Sequence, residues 1–344
     1  MSRWVVVLAG GVGSRFWPLS TPTRPKQFLP LIDEAPLLVG TVARLEPLAD
    51  PAHTLILTNA SLVDGVRALV PAIPADNIIA EPKPAGTAAA LVWAAKEIAR
   101  RDDDSAIMMS VHADWAIGQP QPFRDALVRA AEAADRHAAL VTVGVVPARP
   151  DPGFGYIRPG EAVEAGVFAV GQFVEKPDRD RAARMVADGY LWNSGIFVWR
   201  VGDFLREVSA HTPEVAPALA AAGDDIERFF SSVQSVSVDV GVLERTSRVL
   251  VIPGDFGWDD VGTWGALHRV RRHDEAGNAC SGSVFAVASR DNVVHAEGSD
   301  VVLYGVSDLV VVTRPGLALI TTREQAADLK SLLAALPASV RELA

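Results

Sequence analysis

Over its first 145 residues the chain alternates short apolar runs with longer segments whose apolar positions recur at helical spacing. Residues 4–8, 54–58, 77–80, 106–109 and 140–145 read as strands. Between them, residues 87–101 and 122–137 read as crossover helices. Strands that alternate with helices imply a mostly parallel sheet flanked by helices, a Rossmann-like α/β architecture. In such sheets ligands sit beyond the carboxyl ends of the strands, so the loops that follow strands are where chemistry is sought. Residues 151–264 mix strands and helices and extend this layer. After the arginine-rich stretch 269–278 the texture changes. Valine-rich runs at 283–288, 292–296, 300–304, 309–312 and 317–321 are separated by Gly, Asp, Asn or Pro, and a helix is predicted over 323–336. This is a small all-β unit with the character of a few β-helix coils, although its period is too irregular to establish them. Two domains follow, 1–268 and 269–344, as expected when a chain outgrows a single core.

Composition narrows the class. With 344 residues, 49% of them hydrophobic and 22% charged, the chain is neither a disordered tail nor a disulfide-stapled module. A net charge of -10 argues against nucleic acid as the main partner, because binding a phosphate backbone requires a basic surface. An anionic small molecule remains allowed if a few local cations hold it. No apolar stretch approaches the roughly 18 residues of a membrane span. The N-terminus enters a strand without a basic leader or a cleavage site, so no export signal is expected. The single cysteine, Cys280, suits a reducing cytoplasm. Of the 32 basic residues, five are lysines: Lys26, Lys83, Lys96, Lys176 and Lys330. Lysine is an uncommon choice in this chain.

The first strand ends in LAGGVGSRFWPLS, which places Leu8, Ala9, Gly10, Gly11, Gly13 and Ser14 in or beside the first loop. Glycines there let consecutive N–H groups turn toward one concavity and let a phosphate approach the backbone. The spacing satisfies neither GxGxxG nor the GK[ST] ending of a P-loop. Instead Arg15 follows at once, and Lys26 stands between Pro25 and Gln27 in TRPKQFLPL. The combination of GGxGxR with PKQ resembles the signature of sugar-phosphate nucleotidyltransferases. Five further segments resemble the mannose-1-phosphate guanylyltransferase branch, in order and across the whole catalytic region.

That resemblance implies a nucleotidyltransferase fold and a set of site residues. Glu81, Gly86 and Thr87 lie where relatives read the nucleobase, and a carboxylate such as Glu81 can accept both the N1–H and the exocyclic amine of guanine. Asp114 in SVHADWAI and Asp260 in GWDDVGTW match metal aspartates, with Asp259 at a more variable position. Two hard oxygen ligands completed by phosphates and water suit Mg²⁺. Gly155, Glu175 and Asn193, in PGFGYIRPG, QFVEKP and WNSGIF, match the sugar pocket, and Asp239 of SVDVGVLE supports it. Lys176 matches the partner of the sugar 1-phosphate. His112 reads as a packed loop residue. The chain departs from many bacterial relatives at Ala85 and Gly86, where they carry arginine and asparagine, so nucleotide choice rests on Glu81.

The implied reaction is attack by a mannose 1-phosphate oxygen on the α-phosphorus of GTP, giving GDP-mannose and diphosphate. Arg15, Lys26 and Lys176 are the expected catalytic cations and Mg²⁺ the expected cofactor. Two alternatives stay open: the same reaction with another pair, such as glucose 1-phosphate with UTP or dTTP, and a non-catalytic subunit that senses a nucleotide sugar. The C-terminal unit is open to packing on the catalytic domain or to building a homodimer. A single activity is expected, because the chain ends too soon for the isomerase domain of long bifunctional relatives.

Overall fold

The computed structural model describes residues 1–11 and 13–341, and the chain divides into two compact units. In chain order the strands are β1 (Arg3–Leu8), β2 (Thr54–Asn59), β3 (Ile78–Glu81), β4 (Ile107–His112), β5 (Ala116–Ile117), β6 (Leu140–Val145), β7 (Tyr156–Glu164), β8 (Val167–Val174), β9 (Leu191–Arg200), β10 (Val249–Gly254) and β11 (Trp258–Asp259). They are followed by β12 (Ala279–Ser281), β13 (Val284–Val287), β14 (Val293–Ala296), β15 (Val301–Tyr304), β16 (Leu309–Arg314) and β17 (Leu317–Thr322).

The first unit comprises Met1–Gly10, Val42–His112 and Gln119–Gly257. Its nine-stranded sheet has the order β3-β2-β1-β4-β9-β6-β10-β8-β7. The pairs β1–β2, β1–β4, β2–β3 and β6–β10 are parallel, as the strand and helix alternation predicts. β9 enters antiparallel between β4 and β6. Strands such as β1, β4 and β6 are apolar almost throughout because helices cover both faces of the sheet. The helix Gly86–Arg101 buries Ala88, Leu91, Val92 and Ala95 against β1 and β2, and its alanines permit close approach. Arg100 and Arg101 close its last turn, where cations complement the helix dipole. The helix Pro120–His137 begins with a proline in its first turn and stops at Ala138, which adopts the left-handed conformation.

The second unit comprises Gly11–Thr41, Ala113–Gly118 and Trp258–Ala344, of which residues 342–344 are not among those described. The texture change at 269 therefore falls inside it. β12, β14 and β16 stack in parallel, with Ala279 beside Val293 and Val293 beside Val310. β13 and β15 pair in parallel as a second face, and β17 closes the stack as an antiparallel edge. This is the β-helix-like arrangement that the sequence could not establish by itself. Asparagines hold successive coils in register: Asn292 Nδ2 donates to Asn278 Oδ1 at 2.8 Å, and Asn292 Oδ1 accepts from the Leu309 amide at 3.0 Å. The strand Ala279–Ser281 escaped the sequence pattern because three residues are too few to show alternation. The helix predicted over 323–336 is interrupted. A 3₁₀ turn, Gln325–Asp328, precedes the helix Leu329–Ala335, because the Asp328 carboxylate accepts the Ser331 amide and caps a new start.

Candidate active site

The residues that the sequence reading expects at phosphate and metal, Gly11, Gly13, Ser14, Arg15, Lys26, Asp114 and Asp260, lie in the second unit. Gly13 has φ +71°, and a Cβ there would sit 2.3 Å from Lys26 Cβ, so only glycine lets the loop press on the lysine stem. Ser14 opens the short turn Ser14–Phe16, and its side chain lies outside the described residues. Gly11 has open space around its missing side chain, as a backbone that meets a ligand requires. Lys26 is 5% exposed. Its ammonium donates to Asp114 Oδ2 at 3.0 Å and to the Asp260 carbonyl at 2.7 Å, with the Phe16 ring 5.7 Å away. A single lysine thus gathers the two predicted metal loops.

Those loops are also tied by backbone. β5 and β11 form an antiparallel ribbon that pairs Trp258 with Ile117 and Asp259 with Ala116, and Trp115 meets Trp258 edge to face at 6.0 Å. The structure distinguishes the two neighbouring aspartates of GWDDVGTW. Asp259 is engaged by the Arg269 guanidinium at 2.8 Å and by the Val261 amide at 2.9 Å. The Asp260 carboxylate accepts the Gly262 amide at 3.2 Å. Burial and the neighbouring Asp259 raise its pKa, while Lys26 and Arg15 oppose the rise. A partly buried carboxylate raised by a second carboxylate beside it is chemically suited to a divalent cation. No group of three or more His, Cys, Asp or Glu side chains gathers as a metal site among the described residues. Asp114 and Asp260 are two carboxylates that could hold a divalent ion only with further oxygens from substrate and water. Arg15 is exposed, and its NH1 lies 3.3 Å from where a Cβ on Gly262 would stand.

The residues that the sequence reading expects at the base and the sugar lie in the first unit. Leu8 and Ala9 are buried at the end of β1, where the Ala9 amide bonds the Leu57 carbonyl at 2.8 Å. A Cβ on Gly10 would lie 3.5 Å from Glu81 Oε1. Burial pushes the Glu81 carboxyl up to about 7. Gly86 has φ +81°, and a Cβ there would collide with the Val236 carbonyl at 2.3 Å. Thr87 Oγ1 accepts from the Val238 amide at 2.9 Å. These two residues therefore dock the segment before Asp239 onto the helix start.

Asp239 in turn accepts from Asn193 Nδ2 at 2.7 Å, and the Asn193 amide donates to the Gly155 carbonyl at 2.8 Å. A Cβ on Gly155 would stand 2.8 Å from Glu175 Oε2, so Gly155, Glu175, Asn193 and Asp239 form one cluster. Burial raises the Asp239 pKa, and the Asn193 bond is the first effect that opposes it. His112, at the end of β4, is a minor electrostatic neighbour of Asp239. Lys176 is held at φ +41°, is largely exposed and pairs with Glu175 at 2.7 Å. Phe16 and Gly262, missed from sequence, pack beside Lys26 and beside Asp260 and Arg15. Their signal was present in SRF and DDVG, but neither residue type carries chemistry by itself.

Comparison with known proteins adds an independent line. A family model described as "Nucleotidyl transferase" matches residues 4–277. The chain is 37% identical to a mannose-1-phosphate guanylyltransferase of Escherichia coli K12, over 98% of this chain and 74% of that protein. It is likewise 37% identical to one of Salmonella typhimurium, over 98% and 73%. A crystal structure from Thermus thermophilus, described as a mannose-1-phosphate geranyltransferase, superposes with a TM-score of 0.89 at 33% identity, covering 97% of this chain and 99% of that one. With a loop of glycines and cations leading to a buried lysine between two aspartates, and a family match over most of its length, the chain belongs to the nucleotidyl transferase family.

Proposed function

We propose that this protein is a mannose-1-phosphate guanylyltransferase, converting GTP and α-D-mannose 1-phosphate to GDP-mannose and diphosphate. One observation carries the reaction type: the buried Lys26 ammonium bridges Asp114 and the Asp260 backbone. That cluster puts a fixed point charge on the Asp114 carboxylate and within electrostatic reach of the Asp260 carboxyl, which suits phosphoryl oxygens and a divalent ion. The choice of substrates is supported by relatives of that name at 34–37% identity over nearly the whole chain.

Nucleotidyl transfer of this kind needs no general base. The second pKa of a phosphate monoester is about 6, so near pH 7 the attacking oxygen is already largely ionised. Positioning and charge neutralisation supply the rate. Lys26 and Arg15 bind the triphosphate, and Lys176, exposed on its turn, binds the sugar phosphate. Glu81 accepts the two donors of guanine's edge. Gly86 and Thr87 shape that pocket through the 236–238 segment. Glu175 and Asn193 bind sugar hydroxyls, and Asp239 fixes the Asn193 carboxamide. Asp114 and Asp260 would hold Mg²⁺, whose charge would neutralise phosphate oxygens as the bond to diphosphate breaks. Residues 1–268 form the catalytic domain and 269–344 a β domain that supports it. An enzyme that consumes GTP and a sugar phosphate is assigned to the cytoplasm, with neither nucleic acid nor membrane as partner.

Pyrophosphate release measured over four nucleoside triphosphates and several sugar 1-phosphates tests this directly. GTP with mannose 1-phosphate should give the highest kcat/KM. A higher value for glucose 1-phosphate with UTP or dTTP would overturn the substrate assignment. Absence of release from every pair would leave the sensing subunit as the better account.

A further inference from the structure

The segment that carries Arg15 and Lys26 has little secondary structure of its own beyond two 3₁₀ turns, Ser14–Phe16 and Lys26–Phe28. Something else must hold it still. Within the second unit three arginines span between this segment and the β coils. Arg24, two residues before Lys26, makes a bidentate pair with Glu297 just after β14, with both N–O distances at 2.9 Å. Arg314 at the end of β16 donates to the Pro18 carbonyl at 3.0 Å. Arg271 is 6% exposed, and its guanidinium donates to the Leu31 carbonyl at 2.5 Å, to the Val294 carbonyl at 3.1 Å and to His295 Nδ1 at 3.0 Å. Pro18, Arg24 and Leu31 are thus each anchored, at intervals that bracket Lys26. Beneath them Phe16, Leu19, Leu29 and Leu31 share one apolar cluster with Val293, Val310, Val312 and Leu319 of the coils.

We infer that the β coils are a positioning part of the triphosphate site: through Glu297, Arg314 and Arg271 they set the place of the Lys26 loop, and the Arg24–Glu297 pair is a specific determinant of nucleoside triphosphate affinity. This rests on the assignment of Lys26 to the triphosphate. The physical reason is that a loop without regular hydrogen bonding keeps a cation in a productive place only if several contacts remove its alternatives, since a displacement of about 1 Å costs up to ~100-fold in such chemistry. Bidentate arginine pairs fix direction as well as distance, which makes Arg24–Glu297 a better positioning device than a lone lysine contact. Glu297 is itself placed by the coil, because its amide donates to the Thr313 carbonyl of β16 at 3.0 Å.

Charge exchange on the full chain tests this. Arg24→Glu and Glu297→Arg each remove the pair, and the double variant restores it in reverse. Glu297→Gln, which keeps the shape, stands in if a charge-reversed single does not fold. Each single should raise KM for GTP by roughly threefold to tenfold, the range expected for a half-exposed bidentate pair, with KM for mannose 1-phosphate unchanged. The double variant should recover at least half of that change on a logarithmic scale. Lys26→Ala is the control. If it leaves the KM for GTP unchanged, the assignment of Lys26 fails. If it raises that KM while Glu297→Gln, Arg24→Glu and Glu297→Arg do not, or if both substrates weaken equally and the double gives no recovery, the positioning role of the coils fails.

Discussion

Glu81 offers the sharpest test of the base pocket, because its environment sets opposite demands on stability and function. Burial lifts its carboxyl from 4.5 to about 7. At 1.36 kcal/mol per pH unit, ionising it in the folded chain costs up to roughly 3 kcal/mol relative to the unfolded chain. A carboxyl with a raised folded value costs nothing below about pH 4.5. The cost grows between there and about 7, and is complete above 7. Glu81→Gln removes the ionisation and keeps the volume. The variant should gain on the wild type by up to about 3 kcal/mol between pH 5 and pH 8, read as the difference of their urea-unfolding curves across pH. The same substitution should weaken discrimination for GTP, because an amide cannot accept both guanine donors. Binding should also move protons. Near neutral pH a substantial share of the Glu81 carboxyls carries one, and a guanine that requires the anion must expel it. Titration calorimetry of GTP in two buffers of different ionisation enthalpy should therefore show proton release by the wild type exceeding that of Glu81→Gln. Stability curves that run parallel across pH, together with equal proton release, would refute the reasoning.

Other expectations follow from the same geometry. Asp239→Ala leaves the Asn193 carboxamide unfixed and should raise KM for mannose 1-phosphate by about tenfold to a hundredfold, since a hydrogen bond to a charged acceptor is worth about 1.5–3 kcal/mol, with KM for GTP little changed. Lys176→Ala should also impair sugar-phosphate use, yet without loss of thermal stability, because the side chain is largely exposed. Asp260→Asn should abolish most activity at ordinary Mg²⁺, and a Mg²⁺ titration that matches the wild type would move the metal elsewhere. Gly13→Ala forces a Cβ into Lys26 at φ +71° and should lower the melting temperature and raise KM for GTP together.

Much of the architecture was legible in order along the chain. Five strands of the sheet, β1 to β4 and β6, and both long crossover helices follow from apolar periodicity, because a buried strand and an amphipathic helix differ in the spacing of their apolar side chains, whereas β7 to β10 were not located along 151–264. The candidate residues also stood out one by one, since GGVGSR, PKQ, FVEKP and GWDDVG each concentrate chemistry-bearing types after a strand. Two lysines in an arginine-rich chain were distinctive already in the sequence, but their environments were not. Lys26 is sequestered between two loops, whereas Lys176 is exposed beside Glu175.

What the sequence by itself determined was therefore the inventory: the type and order of elements, the acidic balance, and the cations and carboxylates available for phosphate chemistry. Tertiary structure decided which of them act together. Lys26 meets Asp114 and Asp260 across 88 and 234 residues of chain, and no local pattern encodes a contact at that separation. It also decided that Asp259 is spent on Arg269 and that Asp239 answers to Asn193. The antiparallel entry of β9 and the anchoring of the Lys26 loop on the β coils belong to the same class. Each depends on packing and desolvation between distant segments, whose energies arise only when the folded chain excludes water from both partners at once.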